Sequence, residues 1–192
     1  DGTLMQDKGW LGCNGEWCIT AAADFNDDGA LDIVSGNRVY NADGTLIWEN
    51  LSAPDGFVAV ADMTRDGRPD VVSISGGDAR VLDGIDGSVV FGPVAIPGGG
   101  TGGAPTVADF DGDGRPEFAA AGQGYYAVYD LDCVGDPVPA AFCATGRDDR
   151  ILWEKEVQDT SSSVTGSSVF DFEGDGKAEV VYNDECHLYI LS

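Results

Sequence analysis

The sequence has few basic residues, a single histidine and no long apolar run. Its 192 residues include 10 lysines and arginines against 34 aspartates and glutamates, so the formal net charge is −24. A chain with so little positive charge has no basic face for phosphates, which argues against nucleic acid as a partner. No apolar stretch reaches the length that spans a bilayer, so we do not expect insertion into a membrane.

The scarcity of histidine also bears on catalysis and on zinc. His187 has no serine or cysteine nucleophile at a recognisable spacing, so we interpret it as an ordinary strand residue. Zinc sites use histidines or closely paired cysteines, which disfavours that metal. The many acidic residues do not single out one catalytic pair of carboxylates. We therefore expect a protein that is not an enzyme.

The five cysteines are unevenly placed. Cys13 and Cys18 bracket a short loop, and Cys133 and Cys143 bracket an insertion that contains proline, so two local disulfides are the simplest interpretation. Cys186 is left over, as a free thiol or as the partner in a disulfide between subunits. Disulfides persist in oxidising surroundings, which favours a secreted or cell-surface protein.

The chain is rich in acidic side chains at regular spacing. In the clearest case, Asp109, Asp111 and Asp113 alternate along a nearly extended backbone, so their carboxylates can converge on one point. Gly114 can take a positive φ without steric cost, and the reversal brings Glu117 back toward the same point. A flexible site made only of oxygen ligands suits Ca²⁺ better than Mg²⁺, which requires stricter octahedral geometry.

The same pattern occurs four times, and we call the segments acidic loops one to four (24–32, 62–70, 109–117 and 171–179). Glycine stands at the sixth place of each loop, as Gly29, Gly67, Gly114 and Gly176. We predict about four structural Ca²⁺ ions, one in each loop, and we expect the seventh residue of each loop to contribute its backbone carbonyl. The predicted ligands are Asp24, Asn26, Asp28, Ala30 and Asp32; Asp62, Thr64, Asp66, Arg68 and Asp70; Asp109, Asp111, Asp113, Arg115 and Glu117; and Asp171, Glu173, Asp175, Lys177 and Glu179. Because clustered carboxylates repel one another without an ion, we expect metal binding to be coupled to folding.

Each acidic loop lies between two short apolar runs, which predicts a hairpin. Continuous β-branched or small apolar runs are typical of strands buried on both faces. The repeats cover approximately residues 17–50, 57–94, 104–157 and 164–192, and the third contains an insertion near 132–149. Four antiparallel strands per repeat predict an all-β fold, a β-propeller of four-stranded blades, with residues 1–192 forming a single domain or a propeller segment.

The two ends of the chain predict a split blade. Asp1 to Leu4 match the start of a fourth strand at Asp43 to Leu46, whereas the fourth repeat stops after its third strand. We therefore expect residues 1–10 to supply a fourth strand. Three arrangements are open: the N-terminal strand closes a ring of four blades, it completes the last blade of a neighbouring copy, or the chain is a segment of a larger propeller. The second arrangement would join copies head to tail into filaments.

The loop sequence Ala108 to Glu117, with its relatives Ala23 to Gly29 and Asp171 to Gly176, resembles FG-GAP-like (VCBS-type) repeats, the repeats of integrin-α-like propellers. The resemblance implies a calcium-bearing hairpin in a secreted or surface protein concerned with adhesion or with binding glycans and proteins. Two features depart from the family. Thr64 replaces the second acidic ligand of loop two, and family propellers usually have about seven blades rather than four.

These observations favour a non-enzymatic, extracellular, calcium-stabilised propeller that serves as a structural or adhesive module and assembles head to tail through its split blade. Its partners would be other copies of itself, a surface protein or a glycan. The alternative is a lectin of the same fold, with Trp10 and Trp17 as exposed sugar contacts, and a polysaccharide lyase or hydrolase is less favoured. Trp48 and Trp153 stand at matching places in fourth strands, so we expect them to pack between blades.

Overall fold

The computed structural model describes residues 2–3, 19–133, 150–160 and 164–192 and shows an all-β fold. Within these ranges, fifteen strands form four antiparallel sheets and no helix is found. Each sheet is a meander of consecutive strands, and we call the sheets units one to four in chain order. The predicted antiparallel repeats are confirmed, with four strands in units one to three and three in unit four.

The strand bounds follow the predicted repeats. Unit one contains β1 (Thr20–Ala23), β2 (Asp32–Ser35), β3 (Arg38–Tyr40) and β4 (Leu46–Glu49). Unit two contains β5 (Phe57–Ala61), β6 (Asp70–Ser75), β7 (Asp78–Leu82) and β8 (Val89–Ala95). Unit three contains β9 (Thr106–Ala108), β10 (Glu117–Gly122), β11 (Tyr125–Tyr129) and β12 (Ile151–Glu156). Unit four contains β13 (Ser167–Phe170), β14 (Glu179–Asn183) and β15 (Leu188–Leu191).

The acidic loop joins the first two strands of every unit at the same register. The residue before each loop pairs with the last residue of that loop, as Ala23 with Asp32, Ala61 with Asp70, Ala108 with Glu117 and Phe170 with Glu179. The predicted hairpins are therefore present, and the four loops are structurally equivalent.

Apolar side chains fill the space between consecutive units. Units one and two share a cluster that includes Phe25, Val34, Trp48, Val58 and Leu82. Units two and three share Phe57, Ile74, Phe91, Phe118 and Tyr129, and units three and four share Phe110, Ala121, Tyr126, Val180 and Tyr182. The first strands also lie side by side, β1 against β5, β5 against β9 and β9 against β13. The units are thus packed in series, sheet face against sheet face.

The prediction that strands are buried on both faces is right for the second strands of the middle units and wrong for the end units. Every residue of β10 is buried, and β6 is buried except at its last residue. In unit one and unit four, β1, β13 and β15 alternate between exposed and half-buried residues. Among the described residues, each end unit packs against one neighbour, and its other face is exposed.

Several predictions fall outside the described residues. These are the Cys13 to Cys18 disulfide, the exposed Trp10 and Trp17, and residues 4–10 of the N-terminal strand. Cys133 is buried, but its proposed partner Cys143 also lies outside the described ranges. Cys186 is a free, exposed cysteine. Among the described residues, no helix has the length and apolarity needed to cross a membrane.

Candidate functional site: the acidic loops

Each acidic loop is closed by hydrogen bonds from its own backbone to its own carboxylates. The carboxylate of the aspartate at the first position accepts a hydrogen bond from the backbone amide of the glycine at the sixth position. The donor and acceptor pairs are Gly29 and Asp24 at 2.8 Å, Gly67 and Asp62 at 3.0 Å, Gly114 and Asp109 at 2.8 Å, and Gly176 and Asp171 at 2.9 Å. The aspartate at the fifth place accepts from the seventh amide, Ala30 to Asp28, Arg68 to Asp66, Arg115 to Asp113 and Lys177 to Asp175. These bonds fix the turn and hold the acidic groups around it.

A buried carboxylate lies at the end of each loop, at the ninth place. The side chains are Asp32, Asp70, Glu117 and Glu179, and the exposed fraction of each residue is 5% or less. In three loops the carboxylate accepts from the second-place amide, Phe25 to Asp32, Phe110 to Glu117 and Phe172 to Glu179. In loop two the amide of Thr64 donates to Asp70 instead, at 2.8 Å. Each loop therefore carries one acid that is shielded from solvent.

The backbone is left-handed at two places in each loop, and the sequence indicated only one of them. The sixth-place glycines have φ between 83° and 93°. The fourth place is also left-handed, with φ of 59° at Asp27, 63° at Arg65, 80° at Gly112 and 70° at Gly174. A glycine at the fourth position of loops three and four is consistent with a left-handed backbone there. Loops one and two have aspartate and arginine at that position, so the four sequences share no glycine that would have indicated it. Arginine rarely adopts this conformation, so loop two is the most strained of the four.

Loop three brings three of its predicted ligands together. Carboxylate oxygens of Asp109, Asp111 and Glu117 all lie within 4.8 Å of one another, so this cluster can hold a metal ion. Asp113 is engaged differently, because it accepts from the amide of Arg115 at 2.9 Å and lies 3.5 Å from that guanidinium. In loops one and two the third place carries an amide or a hydroxyl, so the described residues show no equal convergence of acids there.

Several acids of the loops resist ionisation in the absence of a cation. Burial raises the pKa of Glu117 to about 8, and the neighbouring carboxylates add to the shift although the amide of Phe110 opposes it. Burial also raises the pKa of Asp111 and of Asp70. In loop four, the hydrogen bond to Glu179 raises the pKa of Glu173. A divalent cation at the centre of such a loop would relieve the repulsion that these shifts express.

Contacts between units connect the loops in series. Asp132, which follows β11, forms ion pairs with both Arg65 of loop two and Arg115 of loop three. The amide of Ala178 in loop four donates to the carbonyl of Asp109 in loop three at 2.8 Å. Loops two, three and four are thereby held next to one another.

A cavity of about 420 Å³ lies between loops three and four. Its walls include Trp153, Phe110, Asp111 and Lys177, and Ser192 also lines it. Trp153 is half-buried. No signal in the sequence indicated this cavity, because its walls come from two units whose packing the repeat pattern does not specify.

The corresponding space between units one and two is filled. There the indole of Trp48, whose exposed fraction is 7%, packs against the turn between β7 and β8. A Cβ atom at Gly87 of that turn would lie 2.4 Å from the Trp48 ring, so only glycine fits. Trp48 is core, as predicted, whereas the equivalent Trp153 faces a cavity.

Solved structures with a similar fold include three that cover most of this chain. The biofilm matrix protein Bap1 of V. cholerae is 24% identical, with a TM-score of 0.57, and the match covers 90% of this chain and 28% of Bap1. An Agrocybe aegerita lectin, whose structure concerns recognition of non-reducing terminal N-acetylglucosamine, is 18% identical with a TM-score of 0.50 over 90% of this chain and 48% of the lectin. The rhamnogalacturonan lyase YesW is 17% identical with a TM-score of 0.53 over 94% of this chain and 43% of the lyase.

These likenesses establish the fold rather than the activity. The chain spans less than half the length of each of the three proteins. No curated protein matches the sequence significantly.

A family model gives the more specific result. The FG-GAP-like repeat matches residues 62–120, which run from the first residue of acidic loop two to the strand that follows loop three. The resemblance inferred from the loop sequences is thus confirmed over this segment, and the chain contains an FG-GAP-like repeat.

Proposed function

We propose that this chain is a calcium-stabilised β-propeller segment that serves outside the cell as a structural or adhesive module. The observation that carries the proposal is the equivalence of the four acidic loops, which share one register and closely similar hydrogen bonds to their first-, fifth- and ninth-place acids. Four unrelated hairpins are not expected to share the same turn at the same position between their first two strands, so the equivalence indicates a repeat.

Calcium is the ion that fits the loops best. The ligands offered are carboxylate, amide, hydroxyl and carbonyl oxygens in a flexible turn, which is the chemistry of calcium sites in proteins. Burial raises the pKa of Glu117 to about 8, and a neighbouring cation would favour the ionised carboxylate, which supports this proposal. Loop three, with Asp109, Asp111 and Glu117 in one cluster, should bind most tightly. Loop two should bind most weakly, because Thr64 offers a neutral hydroxyl at the third place.

The propeller interpretation rests on how the units pack. Four meander sheets stand face to face with their first strands adjacent, which is the relation between neighbouring blades. Unit four has three strands among the described residues. Gly2 has φ of 73°, close to 77° at Gly44 and 74° at Gly87, the glycines that precede the fourth strands of units one and two. We infer that residues 1–10 supply a fourth strand beside β15, and that residues 1–192 act as one propeller segment.

The similar proteins support the proposed location and role. A biofilm matrix protein shares the fold, and FG-GAP-like repeats with calcium sites suit surroundings in which calcium is abundant. The lyase neighbour shows the same fold at 17% identity, and we assign no catalytic role to this chain.

The test is to measure the melting temperature and the particle mass of the chain in calcium and again after calcium has been removed with a chelator. An ion that binds only the folded form stabilises it by mass action, so calcium should raise the melting temperature substantially. Identical melting curves in the two conditions would refute the calcium sites.

Glycan binding is a second candidate function, favoured by one observation. The cavity beside Trp153 combines an aromatic surface with Asp111 and Lys177, which is suitable for a sugar, and a lectin shares the fold. Titration with a panel of oligosaccharides tests it. Binding that is lost in Trp153→Ala and retained in Leu188→Ala, an exposed apolar control on β15, would support a lectin.

A further inference from the structure

Acidic loops three and four are joined by a backbone hydrogen bond, and no other pair of acidic loops is joined in this way among the described residues. The amide of Ala178, at the eighth place of loop four, donates to the carbonyl oxygen of Asp109, at the first place of loop three, at 2.8 Å. The sequence explains why loops two and three lack the equivalent donor. Pro69 and Pro116 stand at their eighth places, and proline has no amide hydrogen to donate.

A side chain of loop four makes a second contact with loop three. The methylene groups of Lys177, at the seventh place of loop four, lie against Gly112, at the fourth place of loop three. A Cβ atom built on Gly112 would lie 3.0 Å from Cγ and 3.2 Å from Cε of Lys177, so the glycine leaves room for the lysine. Two successive residues of loop four thus contact loop three, one through its side chain and one through its amide.

These contacts involve residues that the calcium sites themselves would use. Asp109 is one of the three acids that come together in loop three. On the other side of the hydrogen bond, Ala178 lies between two predicted ligands of loop four, the carbonyl of Lys177 and the carboxylate of Glu179. An ion that holds Asp109 in place would therefore also hold the acceptor to which this ligand-bearing segment of loop four is bonded.

From this arrangement we propose that loops three and four bind calcium cooperatively. The inference rests on the proposed calcium sites and adds the coupling between two of them. An ion in loop three orders Asp109 and, through the hydrogen bond from Ala178, residues 177–179. The ion that enters loop four then meets a segment that is already ordered. Because coupling between binding free energies is reciprocal, an ion in loop four favours binding in loop three by the same factor.

Repulsion between the two ions opposes this coupling, and salt separates the two effects. Each of these loops carries four acidic residues, whose negative charge offsets much of the charge of a divalent ion. The remaining repulsion is screened at physiological ionic strength, where the Debye length is about 8 Å. Ordering of the backbone is not screened in this way. We therefore expect the coupling to be favourable at physiological salt and stronger at higher salt.

The experiment is a calcium titration of the isotope-labelled 192-residue chain, followed by NMR at the amides of the sixth-place glycines. Gly114 and Gly176 donate to the first-place aspartates of loops three and four, so each amide reports on its own loop. Asp111→Ala, which disables loop three, should raise the calcium concentration at the Gly176 midpoint about fivefold. Glu173→Ala, the equivalent change in loop four, should raise the Gly114 midpoint by the same factor.

The matched control variant is suggested by the chain itself. Ala178→Pro removes the donor and introduces the residue that loops two and three carry at this place, while every charge is kept. In this background Asp111→Ala should shift the Gly176 midpoint by about twofold or less, whereas an effect of charge alone would persist in full. Gly29, which donates to Asp24 of loop one, is the internal control, and its midpoint should not change.

The inference is overturned if loops three and four titrate independently, or if the full shift survives Ala178→Pro. It is also overturned if loop one shifts as much as loop four, because the coupling would then come from folding of the whole chain. Circular dichroism shows whether Ala178→Pro is folded. If it is not, unequal shifts in Asp111→Ala and Glu173→Ala still contradict the coupling, since linkage requires them to be equal.

The same titration separates this inference from the proposed function. Glycine amides that do not respond to calcium in any loop would refute the calcium sites themselves. Amides that respond in both loops, but with midpoints that ignore the state of the other loop, would remove the coupling and leave the calcium sites in place.

Discussion

The indole N–H of Trp48 donates a 2.8 Å hydrogen bond to the carbonyl oxygen of Gly84, and it thereby ties the last strand of unit one to a turn of unit two. Both groups are buried. Gly84 is held from the other side as well, because its amide donates to the ninth-place acid Asp70 at 3.1 Å. The packing between two units and the end of an acidic loop therefore depend on the same turn.

Trp48→Phe should destabilise the fold by about 1–3 kcal/mol, because it leaves the Gly84 carbonyl without its donor and opens a void against the turn. Trp153→Phe is the matched control at the equivalent place in unit three. Trp153 is half-buried beside a cavity, so its loss should be smaller. Urea unfolding of the two variants measures the difference in stability, and equal losses would contradict the contrast between the filled space at Trp48 and the cavity at Trp153.

Asp111→Asn should have opposite effects with and without calcium. With calcium removed, the change takes one negative charge from a crowded cluster, so the melting temperature should rise or stay the same. In calcium the same change removes a charged ligand and should lower the melting temperature. Thr64→Ala in loop two removes a neutral group and should have a smaller effect in calcium. Differential scanning calorimetry in the two buffers measures both, and effects of the same sign in both buffers would count against an ion in loop three.

The strands and loops could be predicted from the sequence because neighbouring residues in the chain determine them. Alternation of acids with a glycine at the sixth place predicts a turn, and the apolar runs beside it predict a hairpin. The exposure of Ile190 and Ile33 was not predictable, because these residues look the same in sequence as their buried equivalents in the middle units. What distinguishes them is that, among the described residues, no other unit packs on that face. The ion pairs of Asp132 with two loops, and the cavity beside Trp153, likewise depend on the packing between units.

Gly114→Ala should destabilise the protein by about 1–2 kcal/mol through backbone strain alone. Gly114 has φ of 85°, and nothing lies within 4 Å of a Cβ atom built there, so no clash contributes. Gly112→Ala should cost more, because φ is 80° and the new Cβ would lie 3.0 Å from Cγ of Lys177. Gly166→Ala is the control, since its Cβ would make an ordinary 3.7 Å contact with Ala104. Chemical denaturation ranks the three, and a neutral Gly114→Ala would contradict the left-handed turn.

Asp184 provides a prediction about pH. It is buried, and it accepts from the amides of Cys186 at 2.8 Å, His187 at 2.6 Å and Gln158 at 2.6 Å. Burial alone would raise the pKa of Asp184, but these hydrogen bonds prevail and lower it from 3.8 to about 2. Because Gln158 follows β12 and Asp184 precedes β15, the carboxylate also joins unit three to unit four.

A pKa that is lower in the folded state means that ionised Asp184 stabilises the fold above its ordinary pKa of 3.8, and that this contribution is lost as the pH falls toward 2. Asp184→Asn keeps the shape and removes the charge, so it should be less stable than wild type at neutral pH. The difference in unfolding free energy between the two should shrink as the pH is lowered below 3.8 and approaches 2. Urea unfolding at a series of pH values measures it, and a constant difference across the series would show that the charge of Asp184 is not what holds this turn.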